Sequence, residues 1–136
     1  MTALVLVHAA ATLALVGLVW FVQVVHYPLF ARVPGGVFAA YELEHGRRTT
    51  RVVAPLMVVE ALSAAALVIL DPGVLTMVGI VLVAGIWAST FLVQVPCHRR
   101  LSRGWDAGAH RRLVRTNWLR TAMWSARGAV ALALLA

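Results

Sequence analysis

Four stretches of this chain are each long and apolar enough to cross a bilayer, and that limits its fold more than any other feature. A spanning helix needs roughly 20 apolar residues, and such runs cover about 3–25, 52–70, 74–95 and 117–136, within expected helices of about 3–26, 50–70, 74–95 and 109–136. The first carries only His8, Thr12 and Gln23 as notable polar groups, the second one charge, Glu60, and the third none. The fourth is interrupted by Arg120 and Arg127. No basic residue precedes the first run, which is also longer than the core of a cleavable signal, so it reads as a retained helix. Backbone groups in lipid must be satisfied within the segment. The expected fold is therefore all-α, an integral membrane four-helix bundle forming a single transmembrane domain over 1–136.

Composition agrees. The chain is 62% hydrophobic and 12% charged, with mean hydropathy +0.87, whereas soluble domains are about a quarter charged. A water-soluble enzyme, a disordered chain and a soluble nucleic-acid binder are excluded, and the expected partners are membrane lipid and a hydrophobic small molecule, with no nucleic acid. The net charge of +7 comes from 12 basic residues, every one an arginine. In so apolar a chain they mark loops beside a lipid surface. Cys97 is the single cysteine, which excludes an internal disulfide and a multi-cysteine metal site.

Asp71-Pro72-Gly73 reads as a tight turn joining the second and third helices into a hairpin. The other two links are longer and charged. One holds Pro34-Gly35-Gly36, a loop signal, then a short interfacial segment over about 34–46; the other holds Asp106, placed to cap the last helix. Ten of the arginines (Arg32, Arg47, Arg48, Arg51, Arg99, Arg100, Arg103, Arg111, Arg112 and Arg115) lie in these two links. The positive-inside rule then puts both links in the cytoplasm and both termini outside the cell membrane. The halves also echo each other, Phe21-Val22-Gln23-Val24 against Leu92-Val93-Gln94-Val95, each with a proline and a histidine just beyond. Parallel duplication of a two-helix unit explains the echo; independent selection for arginines at both cytoplasmic ends explains part of it equally well.

Residues three or four apart share a helix face. His8, Thr12, Gln23 and His26 form one polar stripe on the first helix, Thr49, Glu60 and Ser63 another on the second. Thr76, Trp87, Thr90, Gln94 and His98 align on the third, and Asn117, Arg120, Trp124 and Arg127 on the fourth. Lipid does not tolerate such stripes, so they should converge inside the bundle, with small residues such as Gly17, Gly85 and Ala126 letting backbones approach. At 1.5 Å per residue, Glu60 lies about 18 Å beyond Arg48, while Arg120 and Arg127 lie about 12 and 22 Å beyond Arg112. Glu60 is thus expected to pair with Arg120, Arg127 or both. Two arginines facing one carboxylate leave positive charge for an anionic ligand such as a phenolate or enolate. The expected substrate-binding set is Gln23, Glu60, Gln94, Asn117, Arg120, Trp124 and Arg127. His26 and His98, at the cytoplasmic helix ends, are the candidate catalytic bases. His45 and His110 read as solvated, and His8 as structural. His26, His45, Glu60 and His98 offer metal-binding groups, but none has spacing like HExxH, so no metal and no other cofactor is expected.

Val95-Pro96-Cys97-His98-Arg99-Arg100-Leu101, with Leu113, Asn117-Trp118 and Arg120-Thr121 following, resembles the closing half of the small four-helix membrane proteins related to anthrone oxygenases. Tyr27-Pro28-Leu29-Phe30 and Pro55 look like the matching parts of the first half. In that pattern a proline ends the third helix. The resemblance implies an oxidoreductase that oxygenates an electron-rich aromatic without flavin, haem or metal. A histidine would deprotonate an activated carbon, and arginines would hold the anion while it reacts with O₂. The alternatives from other classes are a proton-coupled small-molecule transporter using Glu60, and a ligand-binding or accessory membrane subunit, monomeric or homo-oligomeric.

Overall fold

A computed structural model describes residues 1–136, and they form helices and turns with no strand. The long helices are α1 (Thr2–Arg32), α2 (Gly35–Leu70), α3 (Val74–Leu101) and α4 (Ala107–Ala133). They run alternately up and down. α1 packs on α2 and α4, and α3 packs on the same two, so the protein is an all-α four-helix bundle closed in chain order.

The bundle is apolar outside and polar within. Leu6, Phe21, Leu62, Ile69, Val81, Leu92 and Leu119 are exposed, while Thr12, Gln23, Glu60, Gln94, Asn117 and Arg127 are buried. A helix bundle in water has the reverse arrangement. α1, α2 and α3 are long and apolar enough to span a membrane. α4 falls short of that apolarity, because Arg111, Arg112, Arg115, Arg120 and Arg127 lie along its 27 residues.

One of the links differs from expectation. Residues 34–46 are not a separate interfacial segment: α2 begins at Gly35, immediately after Pro34, and continues unbroken to Leu70. Pro34 supplies the extended residue that precedes a helix, and Gly46 within it costs only about 1 kcal/mol relative to alanine. Gly35-Gly36 therefore opens a helix rather than a loop. The other two turns follow the sequence. At the hairpin, Gly73 N–H donates to Thr76 Oγ1 (2.9 Å), which donates to the Asp71 carbonyl (3.1 Å). Asp106 caps α4 by accepting from Ala109 N–H at 2.8 Å. That amide, and then the Arg100 guanidinium, hold the Asp106 carboxyl below the usual carboxylate range. The cap is therefore present at neutral pH and is lost as the pH falls through the lowered value.

Neither Pro28 nor Pro96 ends its helix. Each follows one wide π turn, Val22–His26 in α1 and Thr90–Gln94 in α3. The turns close with i→i−5 bonds, from Tyr27 N–H to the Val22 carbonyl and from Val95 N–H to the Thr90 carbonyl. Proline lacks an N–H and its ring crowds the carbonyl four residues back, here Val24 or Leu92. Widening the helix at that turn relieves the clash and lets it continue. The two turns and the two prolines are related by a shift of 68 positions, whereas the Val-Gln-Val echo is shifted by 71. The halves thus correspond in backbone shape three residues out of step with the echo.

Deep in the bundle, Arg127 of α4 donates from Nε (2.8 Å) and from Nη2 to Glu60 Oε1 of α2. Its Nη2 also lies 3.0 Å from His8 Nε2 of α1, and His8 Nδ1 shares a hydrogen bond with Ser63 Oγ (2.8 Å). Gly79 of α3 completes the niche, since a Cβ there would fall 2.5 Å from Arg127 Nη1. Gly85 against Met123 and Gly128 against Val16 are the other close approaches; Gly17 meets nothing within 4 Å. Removing one partner of a buried pair strands the other, so Glu60→Ala should destabilise the bundle by about 3–5 kcal/mol. Gly79→Ala, which displaces the guanidinium, should cost about 1–3 kcal/mol. A Glu60→Leu/Arg127→Met variant should recover most of the loss in thermal unfolding in detergent.

Candidate functional site

At the arginine-rich end of the bundle the sequence places titratable groups on three different helices. Tyr27 follows the π turn of α1, Glu42 and His45 lie on the first turns of α2, and His98 follows the π turn of α3. Phe30, Phe38, Leu101 and Leu113 pack beneath them as a buried apolar cluster. His98 Nδ1 and Glu42 Oε1 are 2.5 Å apart, and His98 Nε2 and the Tyr27 hydroxyl 2.8 Å apart. An ionised carboxylate can only accept, so Nδ1 carries the proton in the neutral ring and Nε2 accepts from the tyrosine. The series Tyr27–His98–Glu42 has the logic of a hydroxyl, an imidazole and an orienting carboxylate. Behind it, His26 Nε2 lies 2.8 Å from His45 Nδ1, which Thr49 Oγ1 also approaches at 3.2 Å. His110 Nε2 donates to the Tyr27 carbonyl at 2.7 Å.

These groups open onto a cavity of about 540 Å³ between α2 and α3, within the size range of small-molecule sites. Its apolar walls include Val53, Met57, Trp87 and Phe91; its polar ones include Tyr27, Glu42, His45, Gln94, His98 and Arg120. Arg120 lies against the Tyr27 hydroxyl. Its Nη1 donates to Asn117 Oδ1 (3.0 Å), Asn117 Nδ2 donates to Gln23 Oε1 (2.8 Å), and Gln23 Nε2 donates to the Val114 carbonyl (3.2 Å). No carboxylate pairs with Arg120, so its charge remains for a ligand in the cavity.

The residues expected from the sequence therefore separate into three sets. Gln94, His98 and Arg120 line the cavity. Gln23 and Asn117 stand behind Arg120 and hold it. Glu60 and Arg127 pair with each other elsewhere in the bundle, and Trp124 is core among Leu15, Val19, Met57 and Ile86. Arg120 does not join the Glu60 pair. His26 is not on the cavity wall, because the π turn advances the face of α1 so that Tyr27, 5% exposed, points inward in its place. His45 and His110 are half-buried and hydrogen-bonded rather than solvated. Glu42 and Tyr27 were missed. The available signal was Glu42-x-x-His45, two donor residues on one helix face, a spacing that also occurs in metal-binding helical bundles.

Comparisons with protein-family models, with curated proteins and with solved structures return no match for this chain. If Arg120 is the anion-holding group, 1-naphthol titrated into detergent-solubilised protein should quench Trp87, and Trp87→Phe should remove that component of the signal. Arg120→Ala should weaken binding by about 1.5–3 kcal/mol, as for hydrogen bonds to charged groups, and Met57→Trp should block the cavity.

Proposed function

We propose that this is a multi-pass membrane protein that binds a lipophilic, weakly acidic aromatic in the cavity and oxygenates it with O₂. The observation that carries the reading is the Tyr27–His98–Glu42 series on the wall of an apolar cavity that also holds the unpaired Arg120. His98, oriented by Glu42, accepts the proton of an activated C–H through Tyr27 or directly. Arg120 holds the resulting enolate or phenolate oxygen. For an anthrone-like substrate, the carbanion adds O₂; loss of water from the hydroperoxide then gives the quinone, so that one substrate and one O₂ yield one quinone and one water. The likeness to the anthrone-oxygenase-like proteins supports the same chemistry. The engagement of Glu60 by Arg127 weighs against the transport alternative, which needs a freely titrating carboxylate.

Purified protein in lipid nanodiscs should consume O₂ when given anthrone. His98→Ala should lower kcat by about 10²–10⁴, the usual contribution of a positioned base; uptake equal to that of protein-free nanodiscs would sink the reading. We further propose that the arginine-rich end is cytoplasmic, following the positive-inside rule. In a Cys97→Ser background, an impermeant thiol reagent added to intact cells should label Asp71→Cys and spare Ser102→Cys. The opposite pattern would reverse the orientation.

A further inference from the structure

Glu42 and His45 are three residues apart on α2 and share its inward face, and His98 meets them from α3. One ligand atom from each lies within 4.8 Å of the other two. Small side-chain adjustments seat three such donors about 2.0–2.2 Å from one ion. Two imidazoles and one carboxylate are a donor set suited to divalent first-row transition metals, with coordination positions left open. All three residues line the cavity, so those positions are accessible to a small molecule.

Two independent features point to a cation here. The first is the orphaned carboxylate oxygen. The Glu42 side chain is 1% exposed, Oε1 faces His98, and Oε2 is buried with no partner. The nearby guanidiniums of Arg47 and Arg48 are engaged by Glu44, and Arg120 by Asn117. A buried acceptor this close to two imidazoles calls for a positive partner. The second is the outer ring of hydrogen bonds. The Tyr27 hydroxyl holds His98 at Nε2, and His26 and Thr49 hold His45 at Nδ1. His45 thus has one nitrogen left over, and the second nitrogen of His98 faces only Glu42, itself a member of the donor set, so an ion that displaces the proton between them finds one nitrogen on each ring, as metal-ligating histidines have.

We propose that Glu42, His45 and His98 bind one divalent first-row transition-metal ion at the wall of the cavity. This deepens the oxygenation reading by giving the same site a cofactor, while the binding itself does not depend on that reading. Such an ion would be held by His98 in place of that residue's role as base, and would supply Lewis-acid chemistry to a substrate oxygen, the released proton passing to water.

Chelator-stripped protein titrated with Co(II) should develop visible d–d absorption that saturates at one ion per chain. Glu42→Gln and His98→Asn should each weaken binding at least tenfold, and Tyr27→Phe by about 10–100-fold, as for other outer hydrogen-bond partners. Glu44→Gln, a neighbouring carboxylate on the exposed face, should bind as wild type does. If the ligand variants fail to fold, the wild type alone decides: Co(II) should raise its thermal midpoint, and X-ray absorption should report a nitrogen and oxygen shell with two imidazoles. Absence of saturable Co(II) binding at millimolar concentration, or unchanged binding in the Glu42→Gln/His98→Asn double variant, would overturn the site. O₂ uptake with anthrone is followed separately. Saturable binding with no uptake removes the oxygenation reading and keeps the metal site; uptake by chelator-stripped protein that binds no Co(II) does the reverse.

Discussion

The Arg127 guanidinium is withdrawn from water almost completely, and the bundle is organised around giving it a carboxylate. Arg127 brings the charge on α4, Glu60 answers it from α2, His8 adds an acceptor from α1, and Gly79 of α3 leaves the space. Each helix contributes one element, so shifting any helix along its axis would separate charge from countercharge in a poorly screening interior. The interaction is local, but the register it sets extends along the bundle and brings Tyr27, Glu42 and His98 to one level at the opposite end.

That division of labour assigns different duties to the two ends. Around Arg127 the charged groups find one another, although Glu60 Oε2 is left without a partner. Around Arg120 they do not: its charge has no carboxylate, Glu42 Oε2 and Gln94 Oε1 have no partner, and the Trp87 indole N–H is also unmatched. Unmatched buried groups are expensive to retain, and several of them bordering one cavity are what a binding site requires. The proposed ligand chemistry would therefore lie at the arginine-rich end of the bundle.

Much of the architecture was legible in the sequence because lipid imposes a simple rule on helix faces. Apolar runs gave the helices, Asp71-Pro72-Gly73 gave the hairpin, and helix-rise arithmetic placed Glu60 between Arg120 and Arg127, the second of which is its partner. The site was less legible. A regular 3.6-residue period put His26 on the inward stripe, whereas the π turn puts Tyr27 there. Glu42 was overlooked because 34–46 read as a surface segment, and it became visible only once that stretch joined α2. Its companion Glu44, exposed and tied to Arg47 and Arg48, shows that two carboxylates two residues apart on one helix can have opposite environments. No composition or charge count separates them.

The paired wide turns have a consequence for how such a chain can vary. Each inserts about one residue into its helix, and one residue in an α-helix is about 100° of rotation. A deletion within 22–26 would leave the membrane thickness served and the apolar count almost unchanged, yet it would swing everything beyond it around the helix axis, carrying Tyr27 away from His98. Hydropathy would register nothing. Chain length at these two places therefore acts as a rotary setting for the site, and descendants of this sequence keep the site in register only while keeping the number of residues there.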